Sequence, residues 1–437
     1  MNDSTTMTTH KLFLLSLGCS KNTVDSERLM AQAEASGIIF TETADEADTI
    51  LINTCGFIED AKEESITEIL AAIDKKSEGT IQRLYVMGCL TELYRNELKE
   101  EMAEVDGFFG TRELPEILAA LGAAYHEELY DHRSLLTPPH YTYLKIAEGC
   151  NRSCSFCSIP KIRGRYRSQP VEQLLREATL LKNSGVKELN MISQDISIFG
   201  YDTMGKSMLN DLVLRLSDMA FDWIRLLYAY PVNFPLEVIE TMRERENICN
   251  YLDIPLQHCN DRILKSMNRG INKQESIRLI ETVREKNPDI RLRTTMIAGY
   301  PGETREEFDE LLEFVEATRF DRLGCFPYCH EEYAPSFALE DNVSAEEKQE
   351  RVAELMELQE SVSQDKNRDF EGKEITVLID QVEEGMAFGR TEYDAPEVDN
   401  ECMLETGDFQ VEPGMFCHAR ITDSTPFDLE GEVIGLV

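Results

Sequence analysis

The sequence predicts an α/β protein in three parts: an N-terminal open parallel α/β domain, a central partial barrel of six strand-and-helix units, and a small all-β barrel at the C-terminal end. Three observations predict it. Apolar runs alternate with helical patterns over residues 11–121, the alternation resumes over 141–326, and short strand-like pieces separated by Gly, Pro and Asp fill the chain beyond 374. Alternating strands and helices give parallel sheets with right-handed crossovers, whereas closely spaced strands with turn residues give small barrels. At 437 residues the chain is too long for one ordinary core, and the length prior is about three domains.

In the first part, residues 11–17 form an apolar run ending in Gly18-Cys19, and 26–35 read as a helix. Residues 49–52 form a second run, ending in Asn53-Thr54-Cys55-Gly56, with a helical pattern over 59–73. Residues 84–87 form a third, ending in Gly88-Cys89, and 105–121 hold the last strand and helix. Cys19, Cys55 and Cys89 thus follow three strands at the same point, each with glycine beside it. The carboxyl edge of an open α/β sheet is where ligands gather, so thiols about 35 residues apart meet there through the fold. Such a set implies an iron–sulfur cluster on three protein thiolates. Zinc completed by an exogenous ligand is the alternative metal, and three unrelated core cysteines is the plain alternative.

Residues 135–140, with Pro138 and Pro139, mark a boundary. Beyond it, strands are expected at 143–147, 188–192, 223–228, 251–255, 292–297 and 322–326, and helices at 171–183, 209–219, 236–245, 263–267, 275–285 and 305–318. Six such units predict a partial TIM-type (β/α)6 barrel whose chemistry lies at the carboxyl ends of its strands. The loop Gly149-Cys150-Asn151-Arg152-Ser153-Cys154-Ser155-Phe156-Cys157 leaves the end of the first of them. One loop can turn Cys150, Cys154 and Cys157 toward a point and leave a fourth corner open. Packing thiols need no such spacing, and a structural zinc takes four protein ligands, with no fourth cysteine or histidine near. A [4Fe–4S] cluster on three thiolates keeps one iron open to a ligand.

Twelve cysteines in a long chain without a secretory pattern argue against a disulfide framework and for metal or redox chemistry. Cys249, Cys259, Cys325, Cys329, Cys402 and Cys417 lack ligand-like company and are expected to pack as small hydrophobes. The net charge of −38, from 82 acids against 44 bases, disfavours direct nucleic-acid binding and favours a basic partner. No run of about eighteen apolar residues exists and residues 1–10 are polar, so a cytoplasmic protein with no membrane contact is expected. Residues 344–368 read as a long charged helix, followed by strands expected at 374–380, 387–393, 409–411, 416–422 and 429–437.

The pattern Cys-x3-Cys-x2-Cys, with Phe156 before the last thiol, resembles the signature of the radical S-adenosylmethionine superfamily. The resemblance implies S-adenosylmethionine bound to the open iron, and a cluster electron that breaks its carbon–sulfur bond to give a 5′-deoxyadenosyl radical. It also implies cofactor contacts at Phe156, which would help seat the adenine, at Gln194 and Asp195 after the second barrel strand, and at Gly299 after the fifth. A solvated strand end at Gln194 and Asp195, and a turn with helix start over Gly299-Tyr300-Pro301-Gly302-Glu303, are the plain alternatives. Arg163, Arg165 and Arg167 are either a solvated run or forks for carboxylates of cofactor or substrate.

The all-β end resembles a TRAM domain, a module often associated with RNA, yet its only bases are Arg368, Lys373, Arg390 and Arg420 among many carboxylates. The whole arrangement resembles the methylthiotransferase family, and Ser16-Leu17-Gly18-Cys19-Ser20-Lys21-Asn22-Thr23-Val24-Asp25-Ser26-Glu27 resembles its RimO branch. The resemblance implies an N-terminal cluster-binding domain over 10–126, a radical S-adenosylmethionine core over 136–365 and a TRAM-like domain over 368–437. It implies an enzyme that adds a methylthio group to the β-carbon of an aspartate in the basic twelfth protein of the small ribosomal subunit, with an electron donor as second partner. The resemblance further implies two [4Fe–4S] clusters that would divide the work: that on Cys150, Cys154 and Cys157 would generate the radical, and that on Cys19, Cys55 and Cys89 would present the sulfur. A tRNA methylthiotransferase with the same engine, and a non-enzymatic cluster carrier, are the alternatives.

Overall fold

The structure, a computed structural model, describes residues 10–437; residues 1–9, read above for a leader, lie outside the described residues. The chain forms two compact units. The first runs to Leu136 and takes in two later segments, Glu148–Arg152 and Cys157–Tyr166; the second comprises Thr137–Ala147, Ser153–Phe156 and Arg167–Val437.

The first unit is a parallel sheet of five strands: β1 Lys11–Ser16, β2 Ile39–Phe40, β3 Thr49–Thr54, β4 Arg83–Gly88 and β5 Gly107–Phe109. Their order is β2-β1-β3-β4-β5, with Ser16 beside Asn53 and Thr54 beside Gly88. Every residue of β3 is buried, because helices cover both faces of such a sheet. Successive side chains point to opposite faces, so Ile50 and Ile52 join a core with Ile69, Val86 and Leu90, while Leu51 joins one with Leu12, Leu29 and Leu118. Each such buried side chain contributes roughly 1.5–3 kcal/mol. Helix Ser20–Ala35 starts directly after Cys19, six residues earlier than its apolar pattern. Helix Cys89–Glu101 has no expected counterpart, since its buried positions are only Cys89, Leu90, Thr91 and Leu98, with Tyr94 partly buried against the same core and charged residues over most of the remainder.

The second unit opens with six parallel strands, Tyr141–Lys145, Glu188–Ile192, Trp223–Leu226, Ile248–Asp253, Arg291–Ala298 and Arg322–Pro327, each paired with the next in chain order. The first and last do not pair with each other, so the barrel is partial. Helices Val171–Asn183, Leu209–Ser217, Glu237–Glu244, Asp261–Ser266, Lys273–Lys286 and Arg305–Thr318 intervene. Lys273–Lys286 and Arg305–Thr318 begin in capping boxes, Asn272 with Glu275 and Thr304 with Glu307, which satisfy orphan amides at both starts. Helix Ala345–Arg368, capped by Ser344, leads into a closed barrel of Glu374–Glu383, Met386–Arg390, Cys402–Glu405, Phe416–Ser424 and Leu429–Leu436. The piece expected as a strand at 409–411 is loop, and Cys402–Glu405 takes its place. The Glu412-Pro413-Gly414 turn that follows supplies no proline donor for a ladder.

The small barrel is tied to the amino-terminal part of the partial barrel by buried ion pairs. Arg390 reaches Glu188 at 2.7 Å and Asp380 at 2.7 Å, and Arg225 meets Glu188 at 2.9 Å. Arg322 reaches Asp394 at 2.6 Å, Arg293 reaches Asp399 at 3.2 Å, and the Tyr251 hydroxyl donates to Asp399 at 2.6 Å. Trp223 packs edge-on against Phe416 with centroids 4.9 Å apart. The amino ends of the strands are thus closed by the small barrel, and the carboxyl ends are left for chemistry.

Candidate functional site

Cys19, Cys55 and Cys89 stand just past the carboxyl ends of β1, β3 and β4, which are neighbours in the sheet. In the order 2-1-3-4-5 the connections from β1 and β3 leave in opposite directions, and the crevice between them is the usual ligand position of an open α/β sheet. The sequence pattern and the topology therefore point to the same edge.

Local packing draws the three together. An added Cβ at Gly18 would lie 2.8 Å from Cys55 Cβ and 3.1 Å from its Sγ, so Cys55 rests on the backbone beside Cys19. Asn22 donates to the carbonyls of Leu17 at 2.9 Å and Thr54 at 3.0 Å, while Cys89 Sγ sits 3.7 Å from Asn22 Oδ1. Asn53 in turn donates to Asn22 O at 3.0 Å and Ser26 Oγ at 2.9 Å, and Ser26 reaches Ser16 at 2.9 Å. Ser65 clamps Cys55 through both backbone groups, at 3.1 and 2.9 Å. Burial pushes the Cys55 thiol up, and it pushes Cys89 up to about 12 while the Arg163 guanidinium pulls the other way. Negative charge on Cys19 and Cys55 raises Cys89 further, as expected of three thiols sharing one corner. Cys19 precedes helix Ser20–Ala35 and Cys89 opens its own helix.

Gly88 holds the third corner. Its φ of 107° with ψ of −157° lies in a region essentially reserved for glycine. A Cβ there would also stand 2.5 Å from Asn53 Oδ1 and 2.5 Å from Thr54 O, a backbone atom that cannot yield. Gly88→Ala is expected to cost about 1–3 kcal/mol from backbone strain alone. A lower denaturation midpoint by circular dichroism, together with iron loss on reconstitution, is the expected readout.

The run of arginines is corrected in part. Arg163 is no open fork for an external carboxylate: it is buried, pairs with Asp25 at 2.5 Å and Glu148 at 3.5 Å, contacts Asn22 Oδ1, and lies 3.6 Å from Cys89 Sγ. Arg165 and Arg167 are exposed. Asp25 and Glu27 of the N-terminal signature do structural work, Glu27 accepting from Leu136 N at 2.9 Å and facing Arg133 at 3.5 Å.

In the cysteine loop, Arg152 N donates to Cys150 Sγ at 3.3 Å and Cys150 N to Gly164 O at 3.1 Å. Cys154 Sγ receives Arg269 Nη1 at 3.3 Å and lies 3.8 Å from the Tyr230 hydroxyl, whose ring carries the same guanidinium at 4.3 Å. Arg269 thus places a positive charge and a hydrogen-bond donor on this sulfur. Cys157 is half-buried. Ser155 anchors the segment, its Oγ 2.8 Å from Ser266 O and from the Tyr300 hydroxyl and its N 2.9 Å from Met267 O. Among the described residues no three His, Cys, Asp or Glu side chains stand in single-ion geometry.

The other candidates fall in different surroundings. The Phe156 ring packs on Ile263, Met267, Tyr300 and Tyr328. Asp195 is buried and caps the short turn after it, accepting from Ser197 N at 2.9 Å, while Gln194 is half-buried. The Gly299 and Tyr300 amides donate to Glu303 at 3.1 and 3.2 Å, and Glu303 is held by Arg351 at 2.6 Å. Gly299 itself is required by a φ of 76° and by Lys348, whose Cγ would lie 2.3 Å from a Cβ. Arg269, Tyr230 and Ser65 touch cysteine neighbourhoods without any sequence spacing that marks them; Asn22, three residues after Cys19, was within reach. Of the six cysteines set aside, five are buried, and Cys329 is half-buried with its thiol 2.9 Å from Glu331.

Comparison with known proteins places this arrangement. Residues 144–315 match the radical SAM superfamily, residues 372–434 the TRAM domain, and residues 11–110 an uncharacterized protein family, UPF0004. The fold is shared with a radical S-adenosylmethionine methyltransferase, TsrM, from Kitasatospora setae, at a TM-score of 0.55 and 14% identity over 75% of this chain and 77% of that one. A cobalamin-dependent radical enzyme, OxsB, gives a TM-score of 0.50 over 75% of this chain and 55% of its own. The class is therefore a radical S-adenosylmethionine enzyme, which uses S-adenosylmethionine and iron–sulfur chemistry. A relative from Pelodictyon phaeoclathratiforme, named ribosomal protein uS12 methylthiotransferase RimO, is 98% identical over 99% of this chain and all of its own length. One of the same name from Chlorobium limicola is 75% identical over 98% of this chain and all of its own. The chain belongs to the family of ribosomal protein uS12 methylthiotransferase RimO.

Proposed function

We propose that this methylthiotransferase acts on ribosomal protein uS12, replacing one hydrogen on the β-carbon of an aspartate by a methylthio group. The observation that carries the reading is identity of 98% to a relative of that name over the full length of both chains. A tRNA substrate is not favoured. In the small barrel Arg390 is consumed by Glu188 and Asp380, and Arg420 by Glu374 and Glu432 at 3.2 and 3.0 Å, so little cation is left for phosphates. No helix among the described residues is long and apolar enough to cross a membrane.

We assign two [4Fe–4S] clusters, one to Cys150, Cys154 and Cys157 and one to Cys19, Cys55 and Cys89, with S-adenosylmethionine beside the first. The residues fit thiolate ligation: Arg269 and the Arg152 amide donate to sulfur in the loop, and Arg163 faces Cys89 at the sheet edge. With its cofactor and an electron from an external donor, the loop cluster supplies hydrogen-abstracting radical chemistry. The chain's own part is positional. Ser155 fixes the loop, Asp195 fixes the backbone after the second barrel strand, Glu303 orients the turn at Gly299, and Phe156 is held by the apolar group around Tyr300. Phe156, Gln194, Asp195 and Gly299 are the positions proposed to face the cofactor. The domains proposed are 10–126, 136–365 and 368–437. Mass spectrometry of ribosomal proteins and tRNA nucleosides from a deletion strain tests the substrate: uS12 is expected to lose its methylthio group while tRNA is unchanged, and the reverse pattern sinks the reading.

A further inference from the structure

Strand Arg322–Pro327 has a partner on one side only. A groove of about 390 Å³ is lined by this strand, by helix Ala345–Arg368, and by loops of the small barrel at residues 398–400 and 427–428. Phe326, Val398 and Phe427 line it with 51%, 56% and 50% of their surfaces exposed. Single apolar residues on a surface mean little, but three around one groove mark an interaction site. The floor carries a second signal. Gly324 lies two residues before Phe326 and so on the same face of the strand. A Cβ on Gly324 would meet only ordinary contacts, 3.4 Å from Phe326 Cε2 and 3.8 Å from Arg293 Nη2, and its φ is not left-handed. Nothing within the fold calls for glycine there. Glycine weakens a strand, and its presence suits a place where another backbone comes close.

Charge selects the occupant. Arg293 and Arg322 border the groove, but they are tied to Asp253, Asp399 and Asp394. No other Lys or Arg lines it, whereas Glu360 is exposed on the helix and Asp428 lies at the opposite rim. A phosphate backbone would meet carboxylates and no spare cation, while a basic polypeptide meets complementary charge.

We propose that the groove binds an extended segment of the basic substrate protein. Its backbone runs along the open side of Arg322–Pro327, an apolar side chain packs among Phe326, Val398 and Phe427, and a Lys or Arg faces Glu360 and Asp428. This rests on the protein substrate proposed above. The test uses full-length reconstituted enzyme with purified uS12, comparing wild type with Gly324→Val, which fills the floor, Glu360→Lys, which reverses the rim charge, and Gly324→Ala, which leaves room. KM for uS12 is expected to rise about tenfold or more in the first two, equivalent to about 1.4 kcal/mol, and to stay near wild type in Gly324→Ala. Reductive cleavage of S-adenosylmethionine without uS12 should be unchanged in all three, which reports an intact fold; if the valine variant fails to fold, the exposed Glu360→Lys decides. Unchanged KM in Glu360→Lys overturns the groove, as does a loss of tRNA binding in place of uS12 binding. A wild-type enzyme that does not modify uS12 at all overturns the underlying reading instead.

Discussion

Replacing Cys150, Cys154 and Cys157 together by alanine is expected to remove about half of the iron and labile sulfide from anaerobically prepared protein, and to abolish reductive cleavage of S-adenosylmethionine. The reciprocal triple, Cys19→Ala, Cys55→Ala and Cys89→Ala, should lose a similar share of iron, keep the cleavage, and fail to transfer the methylthio group. The asymmetry follows from where the thiols stand. One set lies on a single loop after the first barrel strand, with Arg269 on Cys154. The other is assembled from three adjacent strand ends and braced by Asn22, Asn53 and Ser65. Iron content that stays whole in either variant would remove that set from the assignment. Cleavage lost equally in both would mean that the sets do not divide the labour.

Arg390→Ala is expected to destabilise the junction between the two barrels by about 1.5–3 kcal/mol, because it removes charge-assisted hydrogen bonds to Glu188 and Asp380 while leaving Glu188 its second guanidinium, Arg225. Arg390 serves Glu188 and Asp380 together, and Glu188 is fully buried. Trp223 is the only tryptophan in the chain and packs on Phe416 at this junction. Its fluorescence should therefore move to a lower urea midpoint and shift to the red, ahead of the bulk loss of helix. A double variant, Arg390→Met with Glu188→Met, should not recover the loss, since it also takes the carboxylate away from the fully buried Arg225. A single variant whose tryptophan transition coincides with wild type would mean that the pairs are not what ties the small barrel in place.

Much of this fold is written in local pattern. Helices Val171–Asn183 and Arg305–Thr318 lie where their periodicity puts them, and strand Thr49–Thr54 contains an apolar run that needs no tertiary help to be seen. The helix opening at Cys89 shows few inward positions and gives no such signal. The strand at Cys402–Glu405 competes in sequence with a better-looking apolar piece at 409–411, and barrel closure rather than propensity decides between them. The cysteines are legible because their spacing survives without coordinates. The groups that touch them are not: Arg269 lies 115 positions after Cys154 and Arg163 lies 74 after Cys89, and only folding makes them neighbours. Arg163 shows the cost of reading a basic run as one feature, for its alternate residues have opposite fates, one buried on Asp25 and two in solvent.

The segment Cys157–Tyr166 belongs with the first sheet although it follows the first barrel strand in the chain. Autonomy and contiguity part company here. A fragment cut at the Pro138-Pro139 boundary would carry Asp25, Asn22 and Cys89 with their guanidinium neighbour amputated. The first compact unit is spliced from three lengths of polypeptide, so trading modules between such enzymes at linear boundaries would sever these contacts in host and graft alike.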